Sequence, residues 1–431
     1  MNPGGLAEGF ASLRYRNYRL YWYGQVVSLV GTWMQSVSQP WLVLLLGGSP
    51  IQLGLVLALQ YLPSTFFAPF GGVLADRLDK RRTLMATQAT AMLQATVLAV
   101  LTATGVVQIW HVYVLATVLG VVSAVDMPVR QAFAAELVPR DDLVNAIALN
   151  SASFNLARVI GPAVAGITLA LFGPAFNFGL NAVSYLAVLL GLWRMSAQGL
   201  YRLPMPARVP VRRALAEGLR YAWRTPEVVW PLVLLGGLST FAMNFQTLVP
   251  LFAHNALGLG ADGYGALFAA MGVGSLIGSL SLAFMGGRRP LMPLILGGAA
   301  SFLAFELALG LSRGALAAYA LILLVGLSSM LFVNTVNMTI QHAVPHELRG
   351  RVMALYVTVF AGSTPIGGLF AGGVAQVWGS PAGFIAGAGI SVPILLLVAW
   401  RLAVGRRAGA RLAGPEVPGA EGGRPAGSLS G

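Results

Sequence analysis

The chain contains no cysteine, which removes disulfides, iron–sulfur clusters and cysteine-ligated zinc together. Histidine is almost as scarce. His111, His254, His342 and His346 are scattered, with no HExxH or paired spacing, so no metal site is expected. Charge is the third shortage: only 10% of the 431 residues are charged, against roughly 25% in a soluble domain. No G-x-x-x-x-G-K-[ST] loop is present, so ATP hydrolysis is not expected to drive the protein. A cleavable signal peptide is not expected either, because "MNPGGLAEGFASLRYRNYRLYWYGQ" stays polar and basic for too long. Apolar residues, by contrast, are abundant. Hydrophobic residues make up 57% of the chain and the mean hydropathy is +0.75. Apolar runs of about 20 residues recur throughout, which fits a chain whose solvent is lipid.

The net charge of +13 is distributed in blocks. Arg14, Arg16 and Arg19 precede the first apolar run, and Arg77, Lys80, Arg81 and Arg82 follow the second. Arg202, Arg208, Arg212, Arg213, Arg220 and Arg224 fill the middle, and Arg401, Arg406, Arg407 and Arg411 follow the last run. The alternate loops "GGSPIQ", "GVVQIW" and "FGPAFN" carry no charge. This alternation is the positive-inside pattern, and it places both termini in the cytoplasm. The basicity is topological, and no nucleic-acid partner is expected.

The runs predict an all-α membrane protein of about twelve transmembrane helices in two six-helix repeats. The spans fall near 20–46, 52–75, 83–105, 110–134, 143–171, 175–195, 227–254, 262–285, 291–311, 314–340, 348–377 and 382–404. A cytoplasmic segment (1–19) precedes one bundle (20–196). A cytoplasmic linker (197–226) joins it to a second bundle (227–404), and a Gly/Pro-rich, disordered tail (405–431) follows. Within the linker, Arg212 to Arg224 sets Leu215, Leu219 and Ala222 on one face and arginines on the other, as an interfacial helix does. The repeat is direct: residues 138–173 align without gaps on 344–379. Val138/Val344, Pro139/Pro345, Asp141/Glu347, Leu149/Leu355, Gly161/Gly367, Gly166/Gly372 and Gly173/Gly379 all fall in register. Parallel repeats joined by a linker are the plan of a transporter whose halves rock about a midplane site.

"GGVLADRLDKRR" (71–82) resembles the G-x-x-x-D-R-x-G-R-R loop of the major facilitator superfamily, with Gly72, Asp76 and Arg77 in the matching places and Arg81 and Arg82 ending the basic run from Lys80 that stands for its R-R. Asp79 stands where glycine is usual. The resemblance implies the major facilitator fold and a conformational latch, in which Asp76 caps a helix of the other half. "ARVIGPAVAG" resembles that family's antiporter-associated element through Gly161, Pro162 and Gly166, one glycine short; small residues also serve ordinary helix packing. "RNYRLYWYGQVVSLVGTWM", "DMPVRQAF" and "NAIALNSASFNLARVIGP" are similar to the bacterial branch holding the enterobactin exporter and macrolide-efflux relatives. That similarity spans nearly the whole chain and implies a bacterial inner-membrane location.

Four ionisable residues are candidates for proton coupling: Asp126, Arg158, Arg130 and Glu306. Asp126 and Arg158 lie at matching depths, roughly 24 and 21 Å from the outer ends of their helices. That depth allows an ion pair. Arg130, one turn from Asp126, reaches water or bonds Asp126 at i,i+4. A membrane-embedded charge costs at least about 2.5–3.5 kcal/mol, so charges that persist are paired, wet or useful. In the second repeat their equivalents are Phe332, Val336 and Thr364, which favours coupling over architecture. Asp126 is then the proton carrier, with Arg158 setting its acidity; a fixed salt bridge between helices 4 and 5 is the alternative. Glu306 is a second protonation site, or a peripheral acid with Arg313 beside it, and Glu136 is a solvated loop acid.

Polar stripes outline a substrate cavity. Gln25, Ser28, Thr32, Gln35 and Gln39 follow 3-4-3-4 spacing in span 1. Ser151 and Asn155 extend the set in span 5, Thr240, Asn244 and Thr247 in span 7, and Asn334, Asn337 and Gln341 in span 10. Such residues line water or bond between helices. Tyr61, Phe241, Phe245 and Tyr356 offer aromatic contacts to a substrate or pack in the core. The expected function is proton-coupled export of a hydrophobic or amphipathic small molecule, a drug or siderophore, by a monomer using the proton gradient and no cofactor. An uptake permease or a lipid-like substrate transporter is the rival on the same fold. A sensor or scaffold would need an output domain, and an intramembrane enzyme a nucleophile–base or metal constellation; the chain has neither.

Overall fold

The computed structural model describes residues 10–67, 78–196, 199–201, 211–284 and 291–412. Twelve long helices run through them: α1 (Arg16–Leu45), α2 (Pro50–Phe67), α3 (Lys80–Ala103), α4 (Ile109–Ala135), α5 (143–172), α6 (174–194), α7 (Pro226–Ala256), α8 (Ala261–Phe284), α9 (Leu291–Leu311), α10 (Ala315–Ala343), α11 (His346–Trp378) and α12 (Ser380–Leu412). No strand occurs among the described residues. Ten stretches are both long and apolar enough to cross a membrane, and one, Arg140–Arg194, holds α5 and α6 together. α1 makes the twelfth helix. It falls below the apolar threshold because glutamines occupy positions 25, 35 and 39, yet 30 residues span about 45 Å.

Glycines set the tightest turns. Gly173 divides α5 from α6 at φ 76°, and Gly379 separates α11 from α12 at φ 84°. A Cβ is strained at such angles, so both positions favour glycine. These two glycines are register partners in the internal repeat. A covalent chain that turns the same way at the same place in both copies gives the two halves matching topology.

α7 is broken. Its helix stops at Phe241, restarts at Phe245 and ends in a π-helical turn, Phe252–Ala256. Asn244 stabilises the break by donating Nδ2 to the Thr240 carbonyl at 2.9 Å. A short helix, Val211–Arg224, precedes α7 and is held to the second half. Tyr221 donates to the Ala343 carbonyl at 2.9 Å, and Glu217 pairs with Arg351. Ala222 is buried against the bundle while Leu219 and Trp223 are exposed.

α2 packs on α11, and α5 packs on α8; the outer part of α7 touches α1 and α2. Close approach is possible because glycines face each other across the seam. A Cβ on Gly166 would stand 2.6 Å from Gly265 Cα, and one on Gly54 would stand 2.2 Å from the Gly368 carbonyl. The seam is packed from the Gly47 and Gly258 turns down to mid-depth, near Arg158 and Thr65. Toward the end that carries the basic clusters, no comparable helix pair crosses it among the described residues. The molecule is therefore closed at the far end of the bundle.

Candidate functional site

Asp126 is buried in α4, two residues before Pro128. Its Oδ1 accepts from Thr87 Oγ1 at 2.6 Å and from Gln88 Nε2 at 2.8 Å, both on α3. Its Oδ2 accepts from Arg130 Nε at 2.8 Å and Nη2 at 2.5 Å. Arg130 also donates to Gln25 on α1. Four donors surround the carboxylate, and the cluster ties α1, α3 and α4 together.

The expected Asp126–Arg158 pair does not form. Matching depth is not sufficient, because side-chain direction decides contact and Arg130 is available one turn along the same face. Arg158 points across the seam. It donates Nη2 to Asn155 Oδ1 at 3.1 Å and Nη1 to Met330 Sδ of α10 at 3.3 Å. Its Nε is buried without a hydrogen-bond partner, and it meets no carboxylate among the described residues. Of the two alternatives for Glu306, the peripheral acid beside Arg313 does not hold. Glu306 is fully buried inside the second half, neither oxygen has a partner, and Arg313 is exposed and does not reach it. Phe302, one turn away on the same helix, is buried as well and packs edge-on against Phe245.

The span-1 stripe is mostly not a cavity wall. Gln35 donates to Gln94 at 3.1 Å and accepts from Asn181 at 2.7 Å, and Gln39 donates to Gln60 at 3.2 Å. Ser28 is buried, and only Thr32 is exposed, donating to the Ser28 carbonyl. The spacing located a polar face correctly, but the face turns into the first bundle, where its amides join helices. Asn244 serves the α7 break, and Asn334 donates to Ser279 Oγ of α8 at 3.1 Å. Asn337 accepts from Gln341 at 2.6 Å and lies within hydrogen-bonding reach of Tyr356, a buried residue. Tyr61, half-buried on α2, lies within reach of Gln246 in the other half. Arg158, Asn155, Tyr61 and Gln246 are thus polar groups at the seam itself.

Gly72, Asp76 and Arg77 lie outside the described residues. Arg81 donates to the Leu192 and Trp193 carbonyls at 2.8 and 2.9 Å, tying α3 to the end of α6 within one half. A cation on the last carbonyls of a helix is favourable for its dipole. The Arg82 side chain is exposed, and its backbone N–H donates to Asp79 Oδ1 at 2.9 Å, so Asp79 caps α3 where the family pattern has glycine. Glu136 is an ion-pair partner of Lys80 at 2.8 Å, not a solvated acid. Gly161 meets Trp33 of α1 and Gly166 meets Gly265 of α8, so that motif packs both within and between halves.

Sequence reasoning missed a closure at the far end. Trp41 of α1 stacks on Tyr264 of α8 at 5.1 Å, and His254 of α7 meets its edge at 5.6 Å. Tyr264 donates to the Val37 carbonyl at 3.1 Å. Sequence offered one signal: aromatic residues at the outer ends of three helices, which a single copy of the repeat cannot relate to one another.

A family model described as transmembrane secretion effector matches residues 7–414. Among curated proteins, the enterobactin exporter EntS of Shigella boydii serotype 18 is 28% identical over 358 residues, covering 83% of this chain and 85% of that one. The enterobactin exporter EntS of Escherichia coli O139:H28 is similar to the same degree. Among solved structures, a mutant of the nucleoside transporter NupG gives a TM-score of 0.72 at 12% identity, covering 90% of this chain and 99% of that one. A bacterial homologue of the human lysosomal transporter Spinster, inward-facing and unoccupied, gives 0.67 at 12% identity, covering 89% and 95%.

Proposed function

The chain belongs to the transmembrane secretion effector family of major facilitator transporters, and from that premise we propose that it exports an acidic, siderophore-like small molecule in exchange for protons. It is a multi-pass protein of the bacterial inner membrane. The end that carries the basic clusters faces the cytoplasm under the positive-inside rule, and substrate enters the seam from there.

One observation carries the reading. Arg158 holds a guanidinium at mid-depth on the seam, Nε buried and unpartnered, with only a thioether and an amide beside it. A cation there costs about 2.5–3.5 kcal/mol or more. A substrate anion supplies the missing partner, and a planar guanidinium suits the oxygen acids with which siderophores hold iron. The relatedness to enterobactin exporters supports a siderophore-like substrate.

The proton is assigned to Glu306. Its buried carboxyl has no cation and no donor among the described residues, and an unpaired buried carboxylate costs several kcal/mol, which binding a proton removes. Asp126, by contrast, already accepts four hydrogen bonds and acts as a clasp of the first bundle. The test is transport of enterobactin in proteoliposomes under an imposed pH gradient. Arg158→Gln should lose at least about tenfold in rate, the worth of one charge-assisted hydrogen bond. Glu306→Gln should keep exchange down a substrate gradient but no longer respond to pH. Full transport by Arg158→Gln would sink the acid-substrate assignment, and an unchanged pH response in Glu306→Gln would sink the carrier.

A further inference from the structure

A second cationic pocket lies at the end of the bundle that carries the basic clusters. It has a volume of about 250 Å³ and is lined by Asn337, Met338, Gln341 and His342 of α10 and Arg349 of α11. Two neighbouring arginines of α11 are treated differently. Arg351 is neutralised by Glu217 of the linker helix. Arg349 pairs with no carboxylate among the described residues, Glu347 two positions earlier included, and its Nε is buried without a hydrogen-bond partner. Among the described residues, the pocket therefore presents a guanidinium, an imidazole and two amides, and no carboxylate.

The pocket and the central site share one face of α10. Met330, Asn334, Asn337 and Gln341 recur at i, i+4, i+7 and i+11, which is one face of α10. Met330 is the residue that Arg158 touches, and Asn337 and Gln341 line the pocket. The two cations are thus joined along a single polar helix face of about 16 Å. Asn337 and Asn334 lie between the two cations on that face.

We propose that the Arg349 pocket is a capture subsite for the acidic group of the substrate, used before that group reaches Arg158. The ligand class is a planar oxygen acid, a carboxylate or catecholate on a small aromatic ring. The proposal rests on the export reading, because only that reading sends substrate inward from this end. It adds a site that raises local substrate concentration at the mouth and selects against neutral molecules of the same shape.

The experiment is calorimetric titration of the purified full chain in detergent with salicylate, and with its uncharged analogue salicylamide. The wild type should bind salicylate at two sites. Arg349→Gln should remove one of them, or weaken it at least about tenfold, and leave salicylamide unaffected. Arg158→Gln should remove the other. A wild-type salicylate isotherm in Arg349→Gln overturns the subsite, whatever Arg158→Gln does. Loss in Arg349→Gln with no change in Arg158→Gln supports the subsite and removes Arg158 as the substrate's anchor. Should Arg349→Gln not fold, Gln341→Leu fills the pocket from α10 and must remove the same site; an unchanged isotherm there overturns the proposal equally.

Discussion

Single residues show how this chain separates charges that hold from charges that act. Asp126 and Asp142 are holding acids. Asp142 stands just before α5, where it accepts from Tyr15 Oη at 2.6 Å and pairs with Arg14. The Tyr15 hydrogen bond, with Arg14 beside it, keeps the Asp142 carboxyl below its usual range, while the same contacts raise Tyr15 and Arg14. The sign follows from that depression. A carboxyl whose folded value lies below its unfolded one, about 3.9, contributes in full above that value. Its contribution is lost as pH falls through the folded value. The segment Ala11–Tyr15 should therefore stay docked on α5 at neutral and mildly acidic pH and release only below about pH 4. Limited proteolysis across pH checks this, with Asp142→Asn as the control that should be released at every pH. Because the pair is exposed, the effect belongs to local docking and not to global stability. Arg158, Arg349 and Glu306 are the contrasting set: each has a buried nitrogen or oxygen without a partner.

At the scale of helices, the sequence was legible where period and composition decide the outcome. Apolar length gave the spans, and the aligned repeat anticipated that Gly173 and Gly379 would turn alike. It was less legible where the direction of one side chain decides. Asp126 and Arg158 were paired by depth along their helices, but α4 offers Arg130 one turn away and α5 turns Arg158 toward α10. The stripe of α1 was found by spacing, yet nothing in one sequence says whether a polar face meets water or Gln94, Asn181 and Gln60. Close helix contact has a sharper consequence at Gly166. A Cβ there would sit 2.6 Å from backbone of α8, and backbone cannot rotate away as a side chain can. Gly166→Val should wedge α5 from α8 while each bundle stays folded. Transport should fall at least about tenfold with thermal stability little changed, since the lost contact joins the halves and not the core of either. An impermeant maleimide should then label Ser36→Cys from the far side faster than in the otherwise wild-type chain. Unchanged labelling with normal transport would show that the seam yields easily.

For the whole molecule, alternating access requires that one end of the seam close while the other opens, and the two closures must be close in free energy. The closed far end here combines glycine-lined backbone approach, one tyrosine hydrogen bond, and Trp41 between Tyr264 and His254. Aromatic pairs contribute about 0.5–1.5 kcal/mol each beyond their burial. Removing Trp41 deletes both pairs and leaves the internal hydrogen bonds of each bundle in place. A loss of about 1–3 kcal/mol moves a two-state ratio by roughly 5- to 150-fold, enough to change which end is open in most molecules. Trp41→Ala should therefore populate the far-open state. The chain's lack of cysteine makes introduced pairs clean reporters. Spin labels at Ser49→Cys and Asn255→Cys, one on each half beside the far turns, should show a single short distance in the wild-type background. In Trp41→Ala a second, longer distance should appear and dominate. Saturating enterobactin should pull that population back toward the short distance only if the substrate binds the far-closed state more tightly, because a ligand shifts an equilibrium by its differential affinity alone. One unchanged short distance in Trp41→Ala would move the weight of the closure onto the glycine seam, where Gly166 and Gly265 meet without any side chain between them.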